Sequence, residues 1–136
     1  MAKSYWLIKS EPSAYSWEQL LADKSTSWTG VRNFAARNHL RAMKKGDLAL
    51  FYHSNVGKEI VGVAKVTRES YQDPTTNEDA WVAVDVVPES SFKNPVGLDV
   101  LKKDSLLKKM KFVTIPRLSV SPVTEEEFRK VLQLAK

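Results

Sequence analysis

The stretch "DLALFYHSNVGKEIVGVAKVTR", Asp47 to Arg68, decides the fold. Two apolar runs rich in aromatic and β-branched residues, 47–53 and 59–68, flank the polar "SNVGK". That pattern predicts a β-hairpin. Downstream, "WVAVDVV" (81–87) predicts a third strong strand, which Pro88 should end. Upstream, "YWLI" (5–8) reads as a buried strand, and "RLSVSPV" (117–123) reads as a last strand with Pro122 at an edge or a bulge.

Helix signals separate these strands. Ser16 with Gln19 forms a capping-box signature ahead of Trp17, Leu20 and Leu21. Asn33 is suited to cap a second helix and Gly46 to end it. Thr124 with Glu127 should cap a final helix whose Phe128, Val131, Leu132 and Ala135 share one face. "KKDSLLKKMKF" (102–112) reads either as an amphipathic surface for a protein partner or as a solvated helix. "QDPTTNED" (72–79) is the most loop-like stretch, and no repeat or linker divides the chain. Strands and helices mix without regular βαβ alternation. The expected fold is therefore α+β: one domain over 1–136, an antiparallel or mixed sheet curled toward a small β-barrel and flanked by helices.

Composition narrows the function. A chain of 136 residues suits one domain that buries roughly two-thirds of its unfolded surface. The absence of cysteine excludes disulfides, thiolate catalysis and cysteine-based zinc sites, and fits a reducing cytoplasm. No apolar run approaches the roughly 18 residues of a membrane span, so no membrane role is expected. "MAKSYWLIKSEP" lacks a signal-peptide core. The net charge of +5 lies in the first half, where eleven Lys/Arg face six Asp/Glu, against ten of each in the second. From Lys24 to Gly46 there are six basic residues and no acid, which suggests an anionic partner such as a nucleic acid.

Within that basic stretch, a helix over Phe34 to Lys45 would turn Ala36, Leu40 and Met43 toward the core. Arg37, Arg41 and Lys45 would then form an outward stripe of like charge. Such a stripe costs the isolated helix a few tenths of a kcal/mol per pair, roughly, so it awaits either an anion or carboxylates elsewhere in the fold. Trp28 beside the helix N-terminus offers a stacking surface or a plain core residue. Asn33 serves a ligand or only the cap.

A catalytic reading is weaker. His53 and Ser54 are neighbours on a strand and point to opposite faces, so they do not form a nucleophile–base pair. No phosphate loop, HExxH motif or histidine–carboxylate cluster occurs, so neither a metal nor a cofactor is expected.

Several blocks resemble the EVE domain family: "YWLIKSEPSAYSWEQL", "WTGVRNFAARNHLRAMKKGD", "LFYHS", "IVGVAKV", "SYQDPT" and "RLSVSPV", in the family's order and over most of the chain. The resemblance implies a PUA-like barrel flanked by helices, similar in architecture to YTH domains. It implies binding of modified bases in DNA or RNA, with 5-methylcytosine and related cytosines in DNA foremost. The implied base pocket draws on Ser10 and Glu11 of "KSEP", on Trp28, Val31 and Asn33 of "WTGVRN", and on Phe51, His53 and Ser54 of "FYHS". Lys9, Arg32, Arg37 and Arg41 would meet phosphates. Related barrels linked to RNA processing keep an alternative open, acid–base catalysis by His53 and Glu11; a protein-interaction module is the other. The chain departs from the family in a short 75–80 segment, in Thr29 and in Phe34, and the short segment affects any pocket wall or lid that region would supply.

Overall fold

In the computed structural model, which describes residues 4–136, a single sheet is buried on both faces. Its strands are β1 (Tyr5–Ser10), β2 (Thr26–Trp28), β3 (Leu48–His53), β4 (Glu59–Gln72), β5 (Val82–Gly97) and β6 (Val120–Val123). They lie in the order β2-β5-β4-β3-β1-β6. The β1–β3 pair is parallel, and the other neighbouring pairs are antiparallel. The hairpin over Asp47–Arg68 is present and sits at the centre of the sheet. The mixed α+β architecture is as expected. Among the described residues the edge strands β2 and β6 do not pair, so hydrogen bonds do not close the barrel.

Alternation sorts the apolar side chains onto two cores. Trp6, Ile8, Ala49 and Phe51 join Val66, Val84 and Val86 in one cluster, while Leu7, Leu50 and Tyr52 join Ile60, Val63 and Val96 in the other. Burial on both faces explains the continuous apolar runs of β1 and β3. Helices α1 (Trp17–Asp23) and α2 (Phe34–Ala42) cover the first face through Leu20, Ala36 and Leu40. Helix α5 (Glu125–Leu134) covers the second through Phe128 and Val131, and Thr124 and Glu127 complete its capping box.

Three expectations need correction. Helix α2 ends at Ala42, before Gly46, so Lys45 lies outside it and does not extend the arginine stripe. Strand β5 continues through Pro88, because the register with β4 slips between Val63 and Ala64 at that point. A bulge tolerates a residue with no N–H to donate. The 102–112 segment is no continuous helix: it breaks into α3 (Leu98–Lys103), a 3-10 turn at Leu107–Lys109 and α4 (Lys111–Thr114). The Asp104 carboxylate stops α3 by accepting from the N–H groups of Leu106 at 2.9 Å and Leu107 at 3.0 Å. Leu101, Leu107, Met110 and Phe112 then fill the second core, so the apolar stripe is spent inside the domain.

A buried carboxylate ties the parallel strands together. Asp47 accepts from the Trp6 indole at 3.0 Å, the Ser4 N–H at 3.1 Å and the Lys44 N–H at 2.9 Å. On the same face, the Trp17 ring packs against β4 at Gly62. A Cβ at Gly62 would stand 2.5 Å from the Trp17 ring and 2.8 Å from the Ser90 carbonyl. Gly62→Ala should therefore cost about 1–3 kcal/mol through overpacking. A thermal melt reads this directly; an unchanged midpoint would mean that Trp17 does not pack as described.

Candidate functional site

A cavity of about 520 Å³ opens between the end of β1, strand β2 and the 29–33 loop that leads into α2. Its wall holds Lys9, Ser10 and Glu11 on one side, Trp28 on β2, Val31, Arg32 and Asn33 on the loop, and Tyr15 and Ser119 at the margins. Seven of the twelve residues proposed from the sequence therefore meet in one place.

Trp28 is both wall and core. It is only 8% exposed and meets Tyr15 edge to face at 6.3 Å and Phe51 at 5.5 Å. Tyr15 in turn anchors its hydroxyl on Asp23 at 2.8 Å, so it lines the cavity and braces the tryptophan. Phe51 lies wholly buried beneath this wall and does not line the cavity.

The polar groups differ in what they have left to offer. Asn33 caps α2, its Oδ1 accepting from the Ala36 N–H at 2.9 Å. That orientation turns the amide Nδ2 away from the helix and leaves a donor. The Ser10 hydroxyl donates to the Tyr15 carbonyl at 2.5 Å, so its remaining capacity is as an acceptor. Glu11 is exposed at the margin and supplies carboxylate acceptors. Lys9 donates to the Pro116 carbonyl at 2.6 Å, and burial lowers its pKa.

The remaining sequence candidates lie outside the wall. His53 Nε2 accepts from the Trp17 N–H at 3.0 Å, one of the orphan donors of the first turn of α1. Burial lowers its pKa, with Glu59 and Glu18 opposing. Ser54 joins the end of β1 through its N–H, which donates to the Ser10 carbonyl at 2.9 Å. Arg37 donates to the Ala80 carbonyl at 2.6 Å and to the Asn38 side chain at 2.9 Å. Arg41 is exposed on α2, without a side-chain partner among the described residues.

The residue that sets the wall is Asp73, which carried no role in the sequence. It is fully buried and accepts from the Gly30 N–H at 2.9 Å, from Arg32 at 2.9 Å, and from the Thr75 N–H and hydroxyl at 2.7 and 2.6 Å. Burial alone would raise its pKa. The bonds from Thr75, Gly30 and Arg32 outweigh burial and hold the carboxyl well below the usual range. Gly30 has φ +80°, which a side chain would strain, so the loop needs glycine there. Arg32 is thus a clamp, with Thr75 accepting its second amino group at 3.0 Å. The short 75–80 segment adds no residue to the cavity wall but backs it through Thr75. The sequence signal was the "DPT" turn, in which Asp73 bonds Thr75 two residues on; its partners 41 and 43 residues upstream are not readable from local pattern.

Asp73→Asn should cost about 2 kcal/mol, because an amide cannot accept from every donor gathered there. A depressed carboxyl pKa gives stability that is present above the unfolded value near 4, by order of magnitude, and is lost as pH falls below it. The variant should therefore show a flatter acid limb than the parent in thermal melts between pH 3 and 7. Equal slopes would remove Asp73 from the acid transition.

The geometry has counterparts in known proteins. Thymocyte nuclear protein 1 of Rattus norvegicus is 39% identical over 165 aligned residues, covering 96% of this chain and 73% of the relative. The alignment exceeds this chain's length, so the relative carries insertions that this chain lacks. A crystal structure from Agrobacterium tumefaciens superposes with a TM-score of 0.94 at 45% identity, covering 97% of this chain and 92% of that one. Human THYN1 protein, solved in complex with 5-methylcytosine-containing DNA, superposes with a TM-score of 0.90 at 38% identity, covering 98% of each chain. Residues 4–134 match the EVE domain, and with relatives of this identity and coverage the chain belongs to the EVE domain family.

Proposed function

We propose that the cavity takes one cytosine extruded from a nucleic acid, 5-methylcytosine in DNA foremost, and that the chain is a non-catalytic reader of modified bases. The observation that carries this reading is the human THYN1 complex with 5-methylcytosine-containing DNA, given the fold shared at that level of identity. A cavity of about 520 Å³ is ample for a single base. Trp28 offers it a π-face, where stacking is worth about 1–3 kcal/mol. Asn33 Nδ2 is a donor suited to the cytosine O2 or N3, and Glu11 is an acceptor suited to its N4 amino group. A uracil or thymine would place an acceptor against Glu11 and lose that bond. Val31 supplies an apolar surface for a 5-methyl group.

Phosphate contact falls first to Arg41, which is exposed. Arg32, Arg37 and Lys9 each spend donors on the protein and would use only what remains. Acid–base catalysis by His53 and Glu11 has less support. The Nε2 lone pair of His53 is committed to Trp17, and the ring lies outside the cavity wall. Among the described residues no helix is long and apolar enough to cross a membrane. A cytoplasmic location, expected from the cysteine-free composition, belongs to the same proposal.

Trp28→Ala is a poor test, because emptying that core position would itself cost about 3–5 kcal/mol. Asn33→Asp keeps the helix cap and removes the donor. It should leave the melting midpoint within a few degrees and weaken binding to a 5-methylcytosine oligonucleotide at least tenfold, read by fluorescence anisotropy. Undiminished binding would sink the assignment of Asn33 to the base edge. Arg41→Ala should weaken all sequences alike and lower the salt slope by about one unit.

A further inference from the structure

We propose that Phe34 stacks on the nucleotide next to the one held in the cavity, an inference that rests on the base-pocket reading above. Phe34 is the first residue of α2 and follows Asn33, which lines the cavity. It is 60% exposed, an unusual setting for a phenylalanine whose helix has other residues for its core face.

The ring is nevertheless held. Trp81 packs on it with centroids 4.9 Å apart and planes 30° from parallel. The Arg37 guanidinium carbon lies 5.0 Å from its centroid. Both supports are themselves fixed: the Trp81 indole donates to Glu78 at 2.9 Å, and Arg37 donates to the Ala80 carbonyl. Arg32 stands 5.6 Å from the Trp81 ring on the cavity side of this group. An exposed aromatic with a fixed orientation, with the Arg37 guanidinium against it and Arg32 on the Trp81 that supports it, matches what one nucleotide presents: a π-face and a nearby phosphate.

Position supplies the rest. Extruding a base from the stack leaves its neighbour with an uncovered face. Phe34 is tied to the cavity wall twice, through Asn33 in the chain and through Trp81, over which Arg32 of the wall stands. Phe34 would cover that face and offset part of the unstacking cost.

The test uses the full chain and a short DNA duplex carrying 5-methylcytosine beside 2-aminopurine, with an unmethylated duplex as its pair. Phe34→Ala should weaken binding to both duplexes about tenfold and leave their affinity ratio unchanged. At saturation the 2-aminopurine should emit more strongly in the variant complex than in the parent complex. Phe34→Tyr should restore both readouts, and Phe34→Leu, which keeps an apolar cover on Trp81, should restore neither. If Phe34→Ala does not fold, Phe34→Leu carries the test. Affinity within twofold of the parent, or unchanged emission, overturns the proposal. A parent chain that binds both duplexes equally overturns the base-pocket reading while Phe34 is still judged by affinity and emission. A parent that binds neither duplex overturns both.

Discussion

The wall of the cavity depends on one carboxylate that water does not reach. Asp73 gathers four donors from two separate parts of the chain, the 30–32 loop and Thr75, and it is ionised because of them. A loop closed only by its own residues would leave Gly30, Val31 and Arg32 with many conformations. The buried charge selects one, since each donor lost would leave part of the carboxylate without compensation. Asn33 then begins α2 from a defined place, and the rest of the wall follows.

The two faces of the sheet divide the work. One carries the aromatic cluster of Trp17, Trp28 and Phe51, under α1 and α2, from which the cavity is built. The other is closed by α3, α4 and α5 over Leu101, Leu107, Met110, Phe112 and Phe128. Edge-to-face contacts keep Trp28 upright between Tyr15 and Phe51. An aromatic surface meant for a ligand gains from such support, because its orientation is set before the ligand arrives.

Hydrogen-bond accounting separates side chains spent on the wall from those that keep a free donor. Arg32 spends donors on the tie between Asp73 and Thr75. His53, expected in the base pocket, receives the first N–H of α1. Asn33 caps the helix with its oxygen, and its nitrogen has no protein partner among the described residues. The helix cap and the tie to Asp73 account for Asn33 and Arg32 within a segment that contains no acid.

Sequence alone determined what local pattern controls. The central hairpin, the caps at Ser16, Asn33 and Thr124, and the apolar faces of α2 and α5 follow from propensity, capping chemistry and periodicity, which act over a few residues. Motif resemblance brought "KSEP" and "WTGVRN" together, and both line the cavity. Tertiary structure decided the remainder. Pro88 stays within β5 because a bulge in the β4 register receives it, and the 102–112 lysine-rich segment breaks because Asp104 and the second core compete for it. Phe51, His53 and Ser54 fall outside the wall because the strand presents them to other partners. Asp73 needed contacts across more than forty residues, and that pairing is written in no local stretch of the chain.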